Sequence, residues 1–258
     1  MLAGNALRQA AFSYRGLFGW LRPLDYAIMM FVEPGVQLLF FGLLGQLGPQ
    51  DTSFHVVGNA VRLMATSALF GAASVIVSER AAGTLSALLA TPTPAAETFY
   101  GRALLQGVSG VLTGVFTLGL GMLVFGVRFP DASIAWALVA LLVTALSLSG
   151  LGLLLANLSL VGTNPNLLIN VVFYALILIT GANIPLGELP APLSAIGSAV
   201  PMTHGLEAVR AALAGQPDLV AGRLGWELLV GVCYAGAGIL LFRCAERHAR
   251  RSGTLDLV

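Results

Sequence analysis

Lysine is absent from this 258-residue chain, whose thirteen basic side chains are all arginine. A phosphate-binding loop of the form G-x-x-x-x-G-K-[ST] needs a lysine on the phosphates, so nucleotide hydrolysis by such a loop is excluded for this polypeptide. Charge of either sign is scarce: 10% of residues are charged, against about 25% in an average soluble domain. With a net charge of only +1 there is no broad basic face for nucleic acid. The two cysteines, Cys233 and Cys244, are too far apart for a redox or metal pair and read as packing residues. His55, His204 and His248 fall in separate segments, so neither a metal site nor a catalytic dyad is expected.

What is abundant is apolar sequence, at 57% of the chain. Crossing a hydrocarbon core about 30 Å thick takes near 20 apolar residues at about 1.5 Å per residue. Six runs qualify, near residues 26–47, 56–77, 103–126, 134–156, 167–186 and 225–243. The expected fold class is therefore an all-α polytopic membrane protein with six transmembrane helices, forming one domain over 1–258. Arg8, Arg15 and Arg22 precede the first run, Arg80 and Arg102 flank the connection after the second, and Arg243, Arg247, Arg250 and Arg251 follow the last. The alternate connections carry only Arg128, Arg210 and Arg223, and this positive-inside bias predicts that both termini are cytoplasmic.

Residues 1–25 place Leu7, Ala11, Tyr14, Phe18 and Leu21 on one helical stripe beside the arginines, the pattern of an interfacial helix lying among membrane lipids. The proline-rich connection from Leu186 to Arg223 contains two helix-compatible apolar stretches, Ala191 to Val200 and Met202 to Ala214, expected as short helices dipping into the outer leaflet. Residues 244–258 read as a basic cytoplasmic tail.

Between the second and third runs lies the segment Glu79-Arg80-Ala81-Ala82-Gly83-Thr84-Leu85-Ser86-Ala87-Leu88-Leu89-Ala90-Thr91-Pro92. Leu85, Leu88 and Leu89 make an i, i+3, i+4 apolar ridge, and Pro92 ends the helix. It is the one cytoplasmic connection between spans with both charge and a ridge; the loop 157–166 is uncharged.

Four patches resemble the permease subunits of type-2 ABC exporters (ABC-2), the group with daunorubicin-resistance and nodulation-factor export permeases. They are Arg22-Pro23 with Phe31-Val32-Glu33-Pro34; Glu79-Arg80-x-x-Gly83-Thr84 with Leu88-Leu89-x-Thr91-Pro92; Pro201-x-Thr203-His204-x-x-Glu207-x-x-Arg210; and the basic tail. The resemblance implies a multi-pass subunit of the bacterial inner membrane that pairs with a second copy or a paralogue. Two ABC ATPase subunits would dock on its cytoplasmic side, carrying the ATP and magnesium, while the permease itself binds no cofactor. Residues 79–92 would be the coupling helix, and Pro201, His204, Glu207 and Arg210 would mark the outer loop.

Glu33 and Arg62 stand inside apolar runs, where a central charge costs about 2.5–3.5 kcal/mol on insertion scales. Their expected depths differ, so a direct salt bridge between them is not expected. Either they line an export path, with Asn170 and Tyr174 of the fifth run as further candidates, or Arg62 snorkels to the headgroups and Glu33 bonds a neighbouring helix. Gly110-x-x-x-Gly114 reads as packing within the subunit. The leading expectation is an ATP-driven exporter of an amphipathic substrate such as a drug, antibiotic, glycolipid or lipid; the alternative is an ATP-independent carrier or membrane scaffold.

Overall fold

The computed structural model describes residues 28–46, 51–84, 95–159 and 164–252. The expected interfacial helix, the ridge Leu85, Leu88 and Leu89 with Thr91 and Pro92, and the chain after Ser252 lie outside the described residues.

Among the described residues all regular structure is helical. A π turn at Ile28–Val32 runs into α1 (Glu33–Gln46). Helix α2 (Thr52–Ala81) has a second π turn, Thr66–Phe70, in its middle. Then come α3 (Ala95–Phe125), α4 (Asp131–Ser159), α5 (Pro165–Ile179), α6 (Ala191–Ser198), α7 (Thr203–Leu213) and α8 (Pro217–Ser252). Among the described residues four stretches are long and apolar enough to cross a membrane: Thr52–Ala81, Thr98–Phe125, Ser133–Leu158 and Pro217–Cys244. The chain is an all-α polytopic membrane protein.

Helices α2 and α4 form the centre, where Val61, Met64, Leu69, Leu141, Ala145 and Leu148 are buried. Lipid tails are as apolar as leucine, so helices in a membrane associate through close packing and not through a hydrophobic drive. Glycine supplies that closeness here. A Cβ at Gly152 of α4 would lie 2.6 Å from the Leu69 carbonyl oxygen, and one at Gly110 of α3 would lie 2.9 Å from that of Met64. Gly114 sits against the same face of α2, at Met64 and Ala60, so the Gly110–Gly114 pair packs within the subunit as expected. A second cluster, with Ile76, Phe99, Leu153 and Phe242, knits α2, α3, α4 and α8 together near Glu79.

Three expectations are corrected. The fifth run, read as a span over 167–186, is helical only to Ile179; its 15 residues reach roughly 22 Å, short of the hydrocarbon thickness. It starts where Asn164 caps it, the side-chain oxygen accepting from the Asn166 and Leu167 amides with Pro165 in the first turn. It stops at Gly181, whose φ of +85° is left-handed. The last helix is longer than the expected span 225–243, beginning at Pro217 and continuing through the first part of the expected tail to Ser252. Cys233 and Cys244 are unpaired and exposed on α8, so they are not packing residues within this chain. The two short helices between α5 and α8 form where they were expected, as α6 and α7.

Candidate functional site

At one end of the bundle, α2 finishes on the motif Glu79-Arg80-x-x-Gly83-Thr84. Gly83 takes a left-handed φ of +68°, and its amide donates to the Arg80 carbonyl at 3.1 Å while the Thr84 amide donates to the Glu79 carbonyl at 3.0 Å. These are the two bonds of a Schellman cap, which satisfies the carbonyls a helix end leaves bare. The side chains reinforce it: the Thr84 hydroxyl donates to the Glu79 carboxylate. The other carboxylate oxygen accepts from Arg102 Nη1 at 2.5 Å, an ion pair to α3 whose side chains are only 12% and 18% exposed. The spacing of the motif thus has a physical meaning. Glycine supplies the turn, and threonine and arginine hold one carboxylate, so the chain leaves α2 in a fixed direction toward residue 85.

Deeper in the bundle, Arg62 of α2 is nearly buried, at 9% exposure. Its Nε donates to Asn59 Oδ1 at 3.1 Å and its Nη2 to Gln37 Oε1 of α1 at 2.6 Å. Gln37 Nε2 in turn donates to Glu33 Oε1 at 3.2 Å. Glu33 and Arg62 do not bond directly, as their depths suggested; Gln37 relays between them. The guanidinium also lies over the Phe41 ring, 4.6 Å from its centroid. Glu33 and Arg62, two of the four candidate pathway residues, are thus joined through Gln37. Asn170, one turn before Tyr174 on α5, bonds its own helix at the Asn166 carbonyl, while Tyr174 is 65% exposed on the outward face of the bundle. Gln37 and Asn59 escaped the sequence reading, although Gln37 stands at i+4 from Glu33 and Asn59 at i−3 from Arg62, both spacings that share a helix face.

The opposite end is organised by α7. Arg210 stacks on Phe54, 3.7 Å from the ring centroid. Its Nη1 donates to the Gly181 carbonyl at 2.8 Å and its Nη2 to that of Ala182 at 3.2 Å. These are carbonyls freed where α5 breaks off. Gly58 makes room for this contact, since a Cβ there would lie 2.1 Å from the Ala182 oxygen. Burial pulls the Arg210 pKa down to about 10, against the opposing pull of Glu207, so the group remains cationic at neutral pH. Glu207 itself pairs with Arg223, at 3.6 Å. The His204 ring donates from Nε2 to the Ser198 carbonyl at 2.9 Å. Pro201 is buried immediately before Met202, a buried non-glycine residue at φ +90°, a conformation L side chains adopt only under constraint.

The constraint is a residue the sequence reading passed over. Glu227 of α8 is fully buried, and its two carboxylate oxygens accept from the Met202 and Gly205 amides, each at 2.9 Å. It caps α7 from a different helix, in the position that satisfies the free amides of a first turn. A Cβ at Gly205 would lie 1.9 Å from Thr144 Oγ1, so α7 is also pressed onto α4. An acid inside an apolar span was the available signal for Glu227.

The described residues include no cluster of histidine, cysteine or acidic side chains suited to a metal. A family model described as ABC-2 type transporter matches residues 11–214. No curated protein sequence matches the chain.

Proposed function

Since the chain belongs to the ABC-2 type transporter family, and so is a permease component of an ABC transporter and not its ATPase, we propose that it is the membrane half of an ATP-driven exporter in a bacterial inner membrane. It pairs with a second permease, its own copy or a paralogue, and with two ABC ATPase subunits that carry ATP and magnesium. Its substrate is amphipathic, a drug, antibiotic, glycolipid or lipid moved outward from the inner leaflet. Both termini and the Glu79 end face the cytoplasm, in keeping with the arginine distribution.

The observation that carries this reading is the Schellman cap stapled to Arg102. A force applied to residues 85–92 reaches α2 and α3 together through it, because the exit is fixed to both helices. ATPase closure then moves the Glu79 end of α2, and through the helix Arg62, against α1, which holds Glu33 and Gln37. Glu33, Arg62, Tyr174 and Asn170 line the path, where a net-neutral set of polar groups suits an amphiphile better than a bare ion. The α7 end stays fixed on the outer side.

The test is Leu88→Asp. Isolated helices below roughly 12–15 residues are marginal in water, so a short docking helix owes its order to the partner that buries its ridge. A charge at Leu88 removes that burial. The variant is expected to insert and remain monodisperse while losing the copurifying ATPase. An undiminished complex with normal export would place the coupling contact elsewhere.

A further inference from the structure

A cleft of about 350 Å3 opens at the Arg210 end, lined by Asp51, Phe54, Arg128, Phe129, Arg210 and Leu213 among others. Three helix ends meet there. Asp51 is the residue before α2, Arg128 lies between α3 and α4, and Leu213 closes α7. The cleft therefore sits where apolar helices give way to polar sequence, the level of lipid headgroups.

Its charges are unusually available. The Asp51 side chain makes no cap hydrogen bond, and neither it nor the exposed Arg128 guanidinium has an ion-pair partner among the described residues. Arg210 contributes a second positive charge, with its buried Nε lacking an acceptor. Glu207 is matched by Arg223 and does not alter the balance. Two arginines against one carboxylate leave one positive charge uncompensated. An acceptor-only group faces Asp51 poorly, whereas a hydroxyl donates to it well. The last turns of α3, leading to Arg128, leave Met122, Leu123 and Val124 exposed, with Leu123 at 82%. The helix that leads to Arg128 thus ends in exposed apolar side chains.

The geometry points to a binding site for one phospholipid of single negative charge with a hydroxylated headgroup, phosphatidylglycerol being the form that meets all three conditions. The phosphodiester lies against Arg128 with Arg210 behind it, the glycerol hydroxyls donate to Asp51, and the acyl chains follow the end of α3. Phosphate oxygens accept well from a guanidinium fork. The site does not depend on the transport reading, since it requires only that the spans end at this level.

Native mass spectrometry of the full chain, delipidated in detergent, measures it. Phosphatidylglycerol is expected to bind roughly fivefold or more tightly than phosphatidylcholine, the scale of one basic side chain at an anionic surface. Arg128→Glu abolishes that preference, and Arg128→Lys restores most of it, which separates loss of binding from loss of fold. Asp51→Leu, which leaves no acceptor for the glycerol hydroxyls, retains phosphatidylglycerol but loses its advantage over phosphatidylmethanol, an equally charged diester without hydroxyls. Soluble glycerol 1-phosphate competes weakly, because it lacks the chains; full competition by it would assign the site to a free phosphate ester and overturn the lipid. An unchanged preference in Arg128→Glu would overturn the site.

Discussion

The two ends of the bundle solve the same problem with the same residue types in opposite ways. At the Glu79 end an arginine and a glutamate meet each other, Arg102 on Glu79 at 2.5 Å. At the Arg210 end Glu207 and Arg223 pair only loosely, at 3.6 Å and a third exposed, and the buried groups do not meet each other: Arg210 spends its donors on the backbone carbonyls of Gly181 and Ala182, and Glu227 spends its acceptors on the amides of Met202 and Gly205. The difference is one of replaceability. An ion pair between side chains can be rebuilt with other side chains, but a backbone group is present at every position and must be met wherever it is buried. The Arg210 end therefore reads as the fixed part of the molecule, and the Glu79 end as the part whose contacts can be exchanged.

The largest expected effect lies at Glu227. Replacing it with alanine leaves two buried amides without acceptors, at about 1–3 kcal/mol each, and releases the constraint that holds Met202 at positive φ. Glu227→Gln is expected to fall between the parent and Glu227→Ala, because its carbonyl oxygen accepts from one amide while its amino group faces the other as a second donor. Thermal unfolding of the detergent-solubilised chain checks the order. Equal midpoints for the parent and Glu227→Ala would mean that the α7 cap is dispensable and the contrast between the ends false.

An intermediate effect is expected at Arg210. Arg210→Lys keeps the charge but replaces a planar fork with a single ammonium, which cannot span the Gly181 and Ala182 carbonyls from one side chain while stacking on Phe54. One lost hydrogen bond to a charged group is worth about 1.5–3 kcal/mol. The loss is local to the break after α5, so limited proteolysis near residues 180–190 is expected to accelerate more than cleavage elsewhere. Uniform acceleration would indicate that Arg210 acts on the whole bundle.

The same contrast sets what was legible in the sequence. The end of α2 was legible to within a few positions, read near 77 and found at Ala81; the turn at Gly83 was not read, although its chemistry is contiguous, with Glu79, Gly83 and Thr84 within six positions and a left-handed turn that favours glycine. The helices α6 and α7 were legible between their prolines. The end of α5 was not, because Ala182 and Ile184 continue the apolar run past Gly181, and Arg210, which meets the carbonyls freed there, is nearly thirty positions away. Glu227 was hidden for the same reason, its partners lying on another helix. Gln37 was overlooked because an uncharged amide in a span draws less notice than the charges it connects.

The smallest effect, and the sharpest test of the comparison, belongs to the Glu79 end. A partly exposed pair contributes little by itself, about 0–1 kcal/mol for pairs at a surface, although the low exposure of both side chains favours the upper part of that range. Glu79→Gln and Arg102→Gln are each expected to lower the unfolding midpoint slightly. The double exchange Glu79→Arg with Arg102→Glu is expected to recover most of that loss, since the two side chains remain within reach with their roles reversed. Recovery should stay incomplete by the contribution of Thr84, which donates its hydroxyl to a carboxylate at position 79 and finds no acceptor on an arginine there. Adding Thr84→Val to the exchanged chain should then cost less than in the parent, because only the longer bond to the backbone carbonyl of residue 79, at 3.3 Å, is left to lose. An exchanged chain no better than either single variant would show that Glu79, like Glu227, is fixed by what surrounds it, and the two ends of the bundle would be alike after all.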